Sequence, residues 1–292
     1  MKIAILGEIH KDGLELLNSK NFEIIKIDNF QDDNLISEIS DAQGIIIRTA
    51  KLKSKVLSYC KNLQIVSRHG VGFDNIDLNY LNEKKIALAI TGKSNAVSVA
   101  EHVMTMMLTL SKNIFTSDKL TRENNFEKKS ELPDFYELFQ KKILILGFGR
   151  IGQAVAKRCL GFDMKVYVYD PFFKDEEISN KNCIPIDKND GFKIADYISI
   201  HLPLNDKTKY LISYNEFKLF KKNLILINTA RGGIVNEEAL YKALKENDIF
   251  AAGLDVFENE PPEKDNQLFN LNNIILTPHN SALTIECRKR MS

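Results

Sequence analysis

Residues 142–170 read KILILGFGRIGQAVAKRCLGFDMKVYVYD, and their order decides the fold. A short apolar run, Ile143 to Leu146, enters Gly147-Phe148-Gly149-Arg150-Ile151-Gly152. A helix-like segment follows, then a second apolar run, Val166 to Tyr169, closed by Asp170. The first glycine permits a tight strand-to-helix turn and the second lets a pyrophosphate approach the backbone. The third lets helix pack closely on strand. The helix start presents free N–H groups and partial positive charge to phosphates. Asp170 lies 18 residues beyond Gly152. A carboxylate there accepts hydrogen bonds from both adenosine ribose hydroxyls and repels a 2′-phosphate, so the stretch reads as a site for NAD rather than NADP. A bare GxGxxG is weak, because a glycine turn in an ordinary βαβ unit has the same spacing. Strand, helix, second strand and terminal acid in sequence make it specific.

Working outward, strands are expected upstream at Lys2 to Gly7, Phe22 to Ile27, Gly44 to Arg48, Leu63 to Ser67 and Ile86 to Ile90, with helical stretches between the earlier ones. Downstream, Tyr197 to His201, Leu224 to Asn228, Ile249 to Leu254 and Ile274 to Thr277 read as further strands. Such alternation predicts an α/β fold of two doubly wound parallel sheets with helices on both faces. The opening unit, residues 1–95, has no glycine fingerprint after its first strand and reads as a substrate domain. Residues 96–280 read as the Rossmann dinucleotide-binding domain. A helix from Ser94 to Ser111 links them, its methionines suited to domain packing or a dimer surface more than to a cofactor. Residues 112–141 read as a polar, irregular, exposed arm.

Composition narrows the classes. With 40 Lys and Arg against 39 Asp and Glu, net charge is +1 and no long basic stripe appears, so neither nucleic acid nor a membrane surface is an expected partner. No apolar run approaches the length of a membrane span, and the chain opens directly on a strand, MKIAILG, rather than a signal peptide. Cys60, Cys159, Cys183 and Cys287 lie far apart without CxxC spacing, which suits reduced thiols in a cytoplasmic protein and no metal site.

Ligands of doubly wound sheets bind outside the carboxyl ends of the strands. His201, Thr229 to Gly232, Asp255 and His279 all fall just past expected strand ends. Three of the groups in this region suit 2-oxo acid reduction: Arg231 in NTARGG, Glu260 in DVFENEPP and His279 in TPHN. An arginine fork clamps a carboxylate and polarises a carbonyl. Histidine gives or takes the hydroxyl proton, and a neighbouring carboxylate orients it. Taken singly, Arg231 could cap a turn, Glu260 could be a solvated loop acid and His279 a structural imidazole. In SRHGVGFDNID, residues 67–77, the backbone N–H groups of His69, Gly70, Val71 and Gly72 could form an anion nest, or simply a glycine turn. Arg48 and Arg68 end neighbouring strands and could face the same anion.

These segments, taken in order, resemble the D-isomer-specific 2-hydroxyacid dehydrogenases. The resemblance is carried by SRHGVGFDNID, SNAVSVAEH, GFGRIG with Asp170, SIHLPLNDKTKYLI, NTARGGIVNEEAL, AAGLDVFENEPP and TPH. It implies a flavodoxin-like substrate domain beside the NAD-binding domain, with a cleft active site and a homodimer built on the SVAEH helix. It further implies Arg231 as the substrate-orienting residue, His279 as acid/base and Glu260 as its carboxylate partner. Val71, Arg150, Ile151, Asp170, Pro203, Thr229, Ala230, Arg231 and Asp255 match positions that touch NAD, and His201 and His279 are expected beside them. Arg48 and Arg68 match positions that hold a phosphate, which makes 3-phosphoglycerate the first substrate expectation, ahead of hydroxypyruvate, glyoxylate or sulfolactate. Formate is disfavoured because Glu260 stands where formate enzymes of the family carry Gln. A non-catalytic NADH-sensing module, like the related corepressors, is the rival from another class. Departures are Asn280-Ser281 after His279, where a glycine-containing pair is usual, and Phe126 where many relatives carry Trp. Residues 281–292 are expected to begin a segment returning to the first domain, with a further helix or two usual in relatives and no regulatory domain expected after it.

Overall fold

Every strand ladder in the chain is parallel. In a computed structural model describing residues 1–292, the chain divides into two units, Met1–Asn95 with Ala282–Ser292, and Ala96–Ser281. The first unit runs β1 (Lys2–Leu6), α1 (Lys11–Ser19), β2 (Glu23–Ile27), α2 (Asp32–Ile39), β3 (Gly44–Ile47), α3 (Ser54–Leu57), β4 (Ile65–Arg68), α4 (Leu78–Glu83) and β5 (Ala87–Ile90). Its sheet order is β2-β1-β3-β4-β5, the flavodoxin-like arrangement, with a topological switch where β1 meets β3. Strands KIAIL and GIII are almost wholly buried, as expected where helices cover both faces of a sheet.

The second unit begins with α5 (Ala96–Ser111) and α6 (Ile114–Arg122) and continues β6 (Lys142–Leu146), α7 (Arg150–Gly161), β7 (Lys165–Tyr169), α8 (Asp175–Ser179), β8 (Ile184–Pro185) and α9 (Lys188–Ile194). It then runs β9 (Tyr197–Ile200), α10 (Tyr214–Phe217), β10 (Ile225–Asn228), α11 (Glu237–Lys245), β11 (Ala251–Leu254) and β12 (Ile274–Leu276). The last helix, α12 (Ile285–Met291), belongs to the first unit. The seven-stranded order is β12-β11-β10-β9-β6-β7-β8. The chain winds outward from β6 to β8, then crosses back to β9, so the switch point lies between β6 and β9. The carboxyl ends of those strands are the glycine loop and His201.

Two expectations need correction. Residues 112–141 are not irregular throughout: they hold α6 and a 3₁₀ turn over Phe126–Glu131. Between Asp170 and β9 the chain also forms α8, β8 and α9, which the sequence pattern does not signal because their segments are short and β8 pairs at the sheet edge over only two residues. The methionines of α5 have a packing role. Met104, Met106 and Met107 are buried in the core formed with α7 and the sheet, where flexible thioethers fill irregular space. No helix is long and apolar enough to cross a membrane, and no group of three His, Cys, Asp or Glu is placed to hold a metal ion.

Candidate active site

The glycine loop explains two of its glycines by the chain itself and the third by what lies outside it. Gly147 has φ +94°, and a Cβ there would lie 2.7 Å from the carbonyl oxygen of His201. A Cβ on Gly152 would run into the carbonyl oxygen of Gly147. A Cβ on Gly149, by contrast, would meet no atom within 4 Å. The chain does not need glycine at that point, whereas a ligand approaching the start of α7 closely would. Beside the loop, a cavity of about 300 Å³ lies between the ends of β7 and β8, lined by Val168, Asp170, Ile178, Pro185, Ile186 and Asp187 among others. Apolar side chains and acids in that position suit an adenosine and disfavour added phosphate.

Asp170 has a second task that its spacing did not reveal. Its Oδ2 accepts from the Phe148 N–H at 2.7 Å and its Oδ1 from the Phe172 N–H at 2.9 Å. The carboxylate therefore also braces the glycine loop. Arg150 is exposed on the first turn of α7, and Ile151 packs against the core there. His201 contributes its backbone to this corner: its N–H donates to Leu146 O at 2.7 Å and its carbonyl walls Gly147. Its imidazole Nε2 meets Ser199 Oγ at 2.9 Å, and loss of hydration lowers it to about 3, so it stays neutral. Pro203 is exposed in the following loop, its carbonyl accepting from the Thr208 hydroxyl at 2.6 Å.

Past β10, NTARGG forms a locked turn. Asn228 Oδ1 accepts from the Ala230 N–H at 3.1 Å, and its Nδ2 donates to Arg231 O at 2.9 Å. Arg231 Nη1 donates to Ala230 O at 2.7 Å. Gly232 packs so tightly on the Phe257–Glu258 backbone that any Cβ would overlap the Phe257 carbonyl. That contact joins the Arg231 turn to the loop bearing Glu260. Thr229 is buried, and its Oγ1 has no partner in the protein. An orphaned hydroxyl at a strand end is costly unless a ligand completes it.

His279 Nδ1 lies 2.8 Å from Glu260 Oε2. Burial pulls the Glu260 carboxyl upward, but the His279 hydrogen bond and charge, the Phe257 N–H at 3.2 Å and the Arg231 charge together bring it below its ordinary value. The ionised carboxylate is an acceptor only, so Nδ1 is the donor and Nε2 is presented outward. His279 itself has φ +49°. Asp255, expected to touch cofactor, is wholly buried and occupied by the protein. It accepts from the Thr277 hydroxyl at 2.6 Å and from the N–H groups of Asn280 and Ser281 at 2.9 and 3.0 Å. It braces the His279 loop from beneath. Thr277, Asn228 and Gly232 lie within the TPH and NTARGG motifs, whose spacing carries no sign of these tasks.

In the first unit, Arg48 follows β3 and Arg68 ends β4, with Ile47 and Arg68 in register. Arg68 Nη1 donates to His69 O at 2.6 Å. The four-donor nest is reduced: the His69 N–H bonds Ile47 O at 2.8 Å and the Gly70 N–H bonds Arg68 O at 2.8 Å, since the sheet ladder and a tight turn claim them first. Val71 and Gly72 are left for that role. His69 is buried, and burial with the charges of Arg48, Arg68 and Arg288 lowers its imidazole to about 4.

Glycine loop, bracing acid, adenosine-sized cavity and orphaned Thr229 together define a dinucleotide-binding domain whose residues fit NAD. Residues 104–281 match the NAD binding domain of the D-isomer specific 2-hydroxyacid dehydrogenases, and the chain belongs to that family. It is 37% identical to D-3-phosphoglycerate dehydrogenase of Methanocaldococcus jannaschii, over 99% of this chain and 55% of that protein. It is 35% identical to hydroxypyruvate reductase of Thermotoga maritima, over 99% of this chain and 94% of that protein. Among solved structures, D-lactate dehydrogenase of Aquifex aeolicus with NAD and lactic acid superposes with a TM-score of 0.88 at 29% identity, covering 99% of this chain and 91% of that one. The chain spans about half the length of the phosphoglycerate dehydrogenases it matches.

Proposed function

We propose that the protein is an NAD-dependent dehydrogenase of small anionic D-2-hydroxy acids, with 3-phosphoglycerate the leading substrate. The observation that carries the reading is the 2.8 Å pair of His279 and Glu260, whose carboxyl also feels the Arg231 charge. Gly147, Gly149, Arg150, Ile151, Gly152, Asp170, Pro203, Thr229 and Ala230 would hold the cofactor, which when bound supplies or accepts the hydride. Arg231 clamps the substrate carboxylate and polarises the carbonyl. In reduction, His279 Nε2 donates a proton to the carbonyl oxygen while Glu260 holds the imidazole by Nδ1. Arg48 and Arg68, with the Val71 and Gly72 N–H groups, are the first unit's candidate anion-binding groups. Their two guanidiniums favour a phosphate-bearing tail, and the Methanocaldococcus relative bears a matching name. Hydroxypyruvate, named in the Thermotoga relative, is the second reading because that relative is matched over nearly its whole length. The working form is a homodimer, supported by exposed Val97, Ile114, Phe115 and Phe126 on α5 and the arm.

The test is NADH oxidation with 3-phosphohydroxypyruvate, hydroxypyruvate and glyoxylate, repeated with NADPH. NADH with 3-phosphohydroxypyruvate should give the highest kcat/KM. His279→Ala should lower kcat about 10²–10⁴-fold with NADH affinity retained. No turnover with any 2-oxo acid, or an unaffected alanine variant, overturns the dehydrogenase reading.

A further inference from the structure

We propose that His102 of the SVAEH segment is a positioning residue, acting through Thr277 on the loop that carries His279; this rests on the dehydrogenase reading above. His102 Nε2 lies 3.1 Å from Thr277 Oγ1 and 3.8 Å from Asp255 Oδ1. Thr277 donates its hydroxyl proton to Asp255 at 2.6 Å, a far better bond than its 3.5 Å alternative to Leu254 O. The hydroxyl has one proton, so His102 Nε2–H is the donor in the first bond. The result is a directional chain from His102 through Thr277 to a wholly buried carboxylate, each bond polarising the next.

That carboxylate also holds the N–H groups of Asn280 and Ser281, so residues on both sides of His279 hang from one anchor. One helical turn before His102, buried Ser98 donates to Ser281 O at 2.6 Å. Positions i and i+4 share a helix face, so Ser98 and His102 grip the two ends of the same five-residue loop. Between them, His279 keeps φ +49°, a conformation that a non-glycine residue holds only when its surroundings impose it. The imidazole of His279 is therefore aimed at Glu260 by a backbone that α5 sets from outside the reacting groups.

The test compares His102→Ala with His102→Gln, whose amide N–H reaches the Nε2 position, and with Thr277→Val. His102→Ala should lower kcat for 3-phosphohydroxypyruvate reduction about tenfold, with KM and NADH affinity within twofold, and the glutamine variant should recover at least half. Adding His102→Ala to Thr277→Val should cost nothing further, because the first acts through the second. A second readout does not need turnover. The protein has five histidines, so the imaginable overlap in an imidazole ¹⁵N spectrum is small, and the His279 Nδ1 signal should move in the alanine variant and return in the glutamine variant. An active wild type whose His102→Ala keeps full kcat overturns the proposal, as does an unmoved His279 signal. A wild type without turnover but with the signal moving and returning overturns only the dehydrogenase reading. Should His102→Ala not fold, Thr277→Val against Thr277→Ser carries the same comparison.

Discussion

Glu260 illustrates how one residue serves two ends. Its Oε1 accepts from the backbone of Phe257 and its Oε2 from His279, so it ties the imidazole to its own loop while supplying negative charge. Glu260→Gln keeps an oxygen for the hydrogen bond and removes the charge. Its kcat for reduction should fall about tenfold, because the anion that holds the imidazole through Nδ1 is gone. A Glu260→Gln enzyme that keeps the full kcat for 2-oxo acid reduction would show that the charge is idle. The Glu260 carboxyl is held below its ordinary value, so the pairing is complete above the normal glutamate range and is lost as pH falls through that lowered value.

At the scale of an element, the β6–α7 turn separates structural from functional glycine. Gly152→Ala drives a methyl into the Gly147 carbonyl and should destabilise the protein by about 1–3 kcal/mol. Gly149→Ala meets no neighbour within 4 Å at an extended helix N-cap, and should change stability by under about 1 kcal/mol. The order reverses for binding: NADH affinity should fall at least about tenfold in Gly149→Ala, since the methyl occupies the approach of a pyrophosphate. Denaturation midpoints and fluorescence titration with NADH check both. A Gly149→Ala protein binding NADH as wild type would remove the role assigned to that gap. The same element shows how far a pattern can be read. GFGRIG identified the turn, but the spacing of Asp170 spoke only of ribose and not of the bond to Phe148 N–H that braces the loop.

For the whole molecule, two imidazoles set an acid response. His69 in the first unit and His201 in the second are lowered from 6.5 to about 4 and about 3, by burial in both cases and by neighbouring arginines at His69. The unfolded chain takes up these protons below about 6.5 while the native units do not. Stability contributed by each neutral histidine is therefore complete above 6.5 and is lost as pH falls toward each lowered value. Unfolding free energy should drop between pH 6.5 and 4, and His69→Gln should remove up to about one proton, ~1.4 kcal/mol per pH unit, from the slope for the first unit. Urea titrations at pH 7 and pH 5 measure it. An unchanged slope in the variant would place His69 in contact with solvent protons.

Local chemistry was enough for the class of fold, because strand runs, a glycine turn and Asp170 follow each other within one βαβ unit. It was enough, too, to single out Arg231, Glu260 and His279, each standing just past a strand end where open sheets bind ligands. Their company was not legible. Residues 231 and 257 come together because Gly232 admits the Phe257 backbone, and His279 reaches Glu260 because Asp255, Thr277 and α5 shape its loop. The nest at residues 69–72 lost two donors to the sheet and a tight turn for a related reason: hydrogen-bond partners distant in sequence compete for the same N–H groups. Sequence alone determined which groups stand at the carboxyl ends of the strands. Tertiary structure decided which of them touch, since contacts across separate loops depend on packing and hydrogen bonding that no spacing encodes.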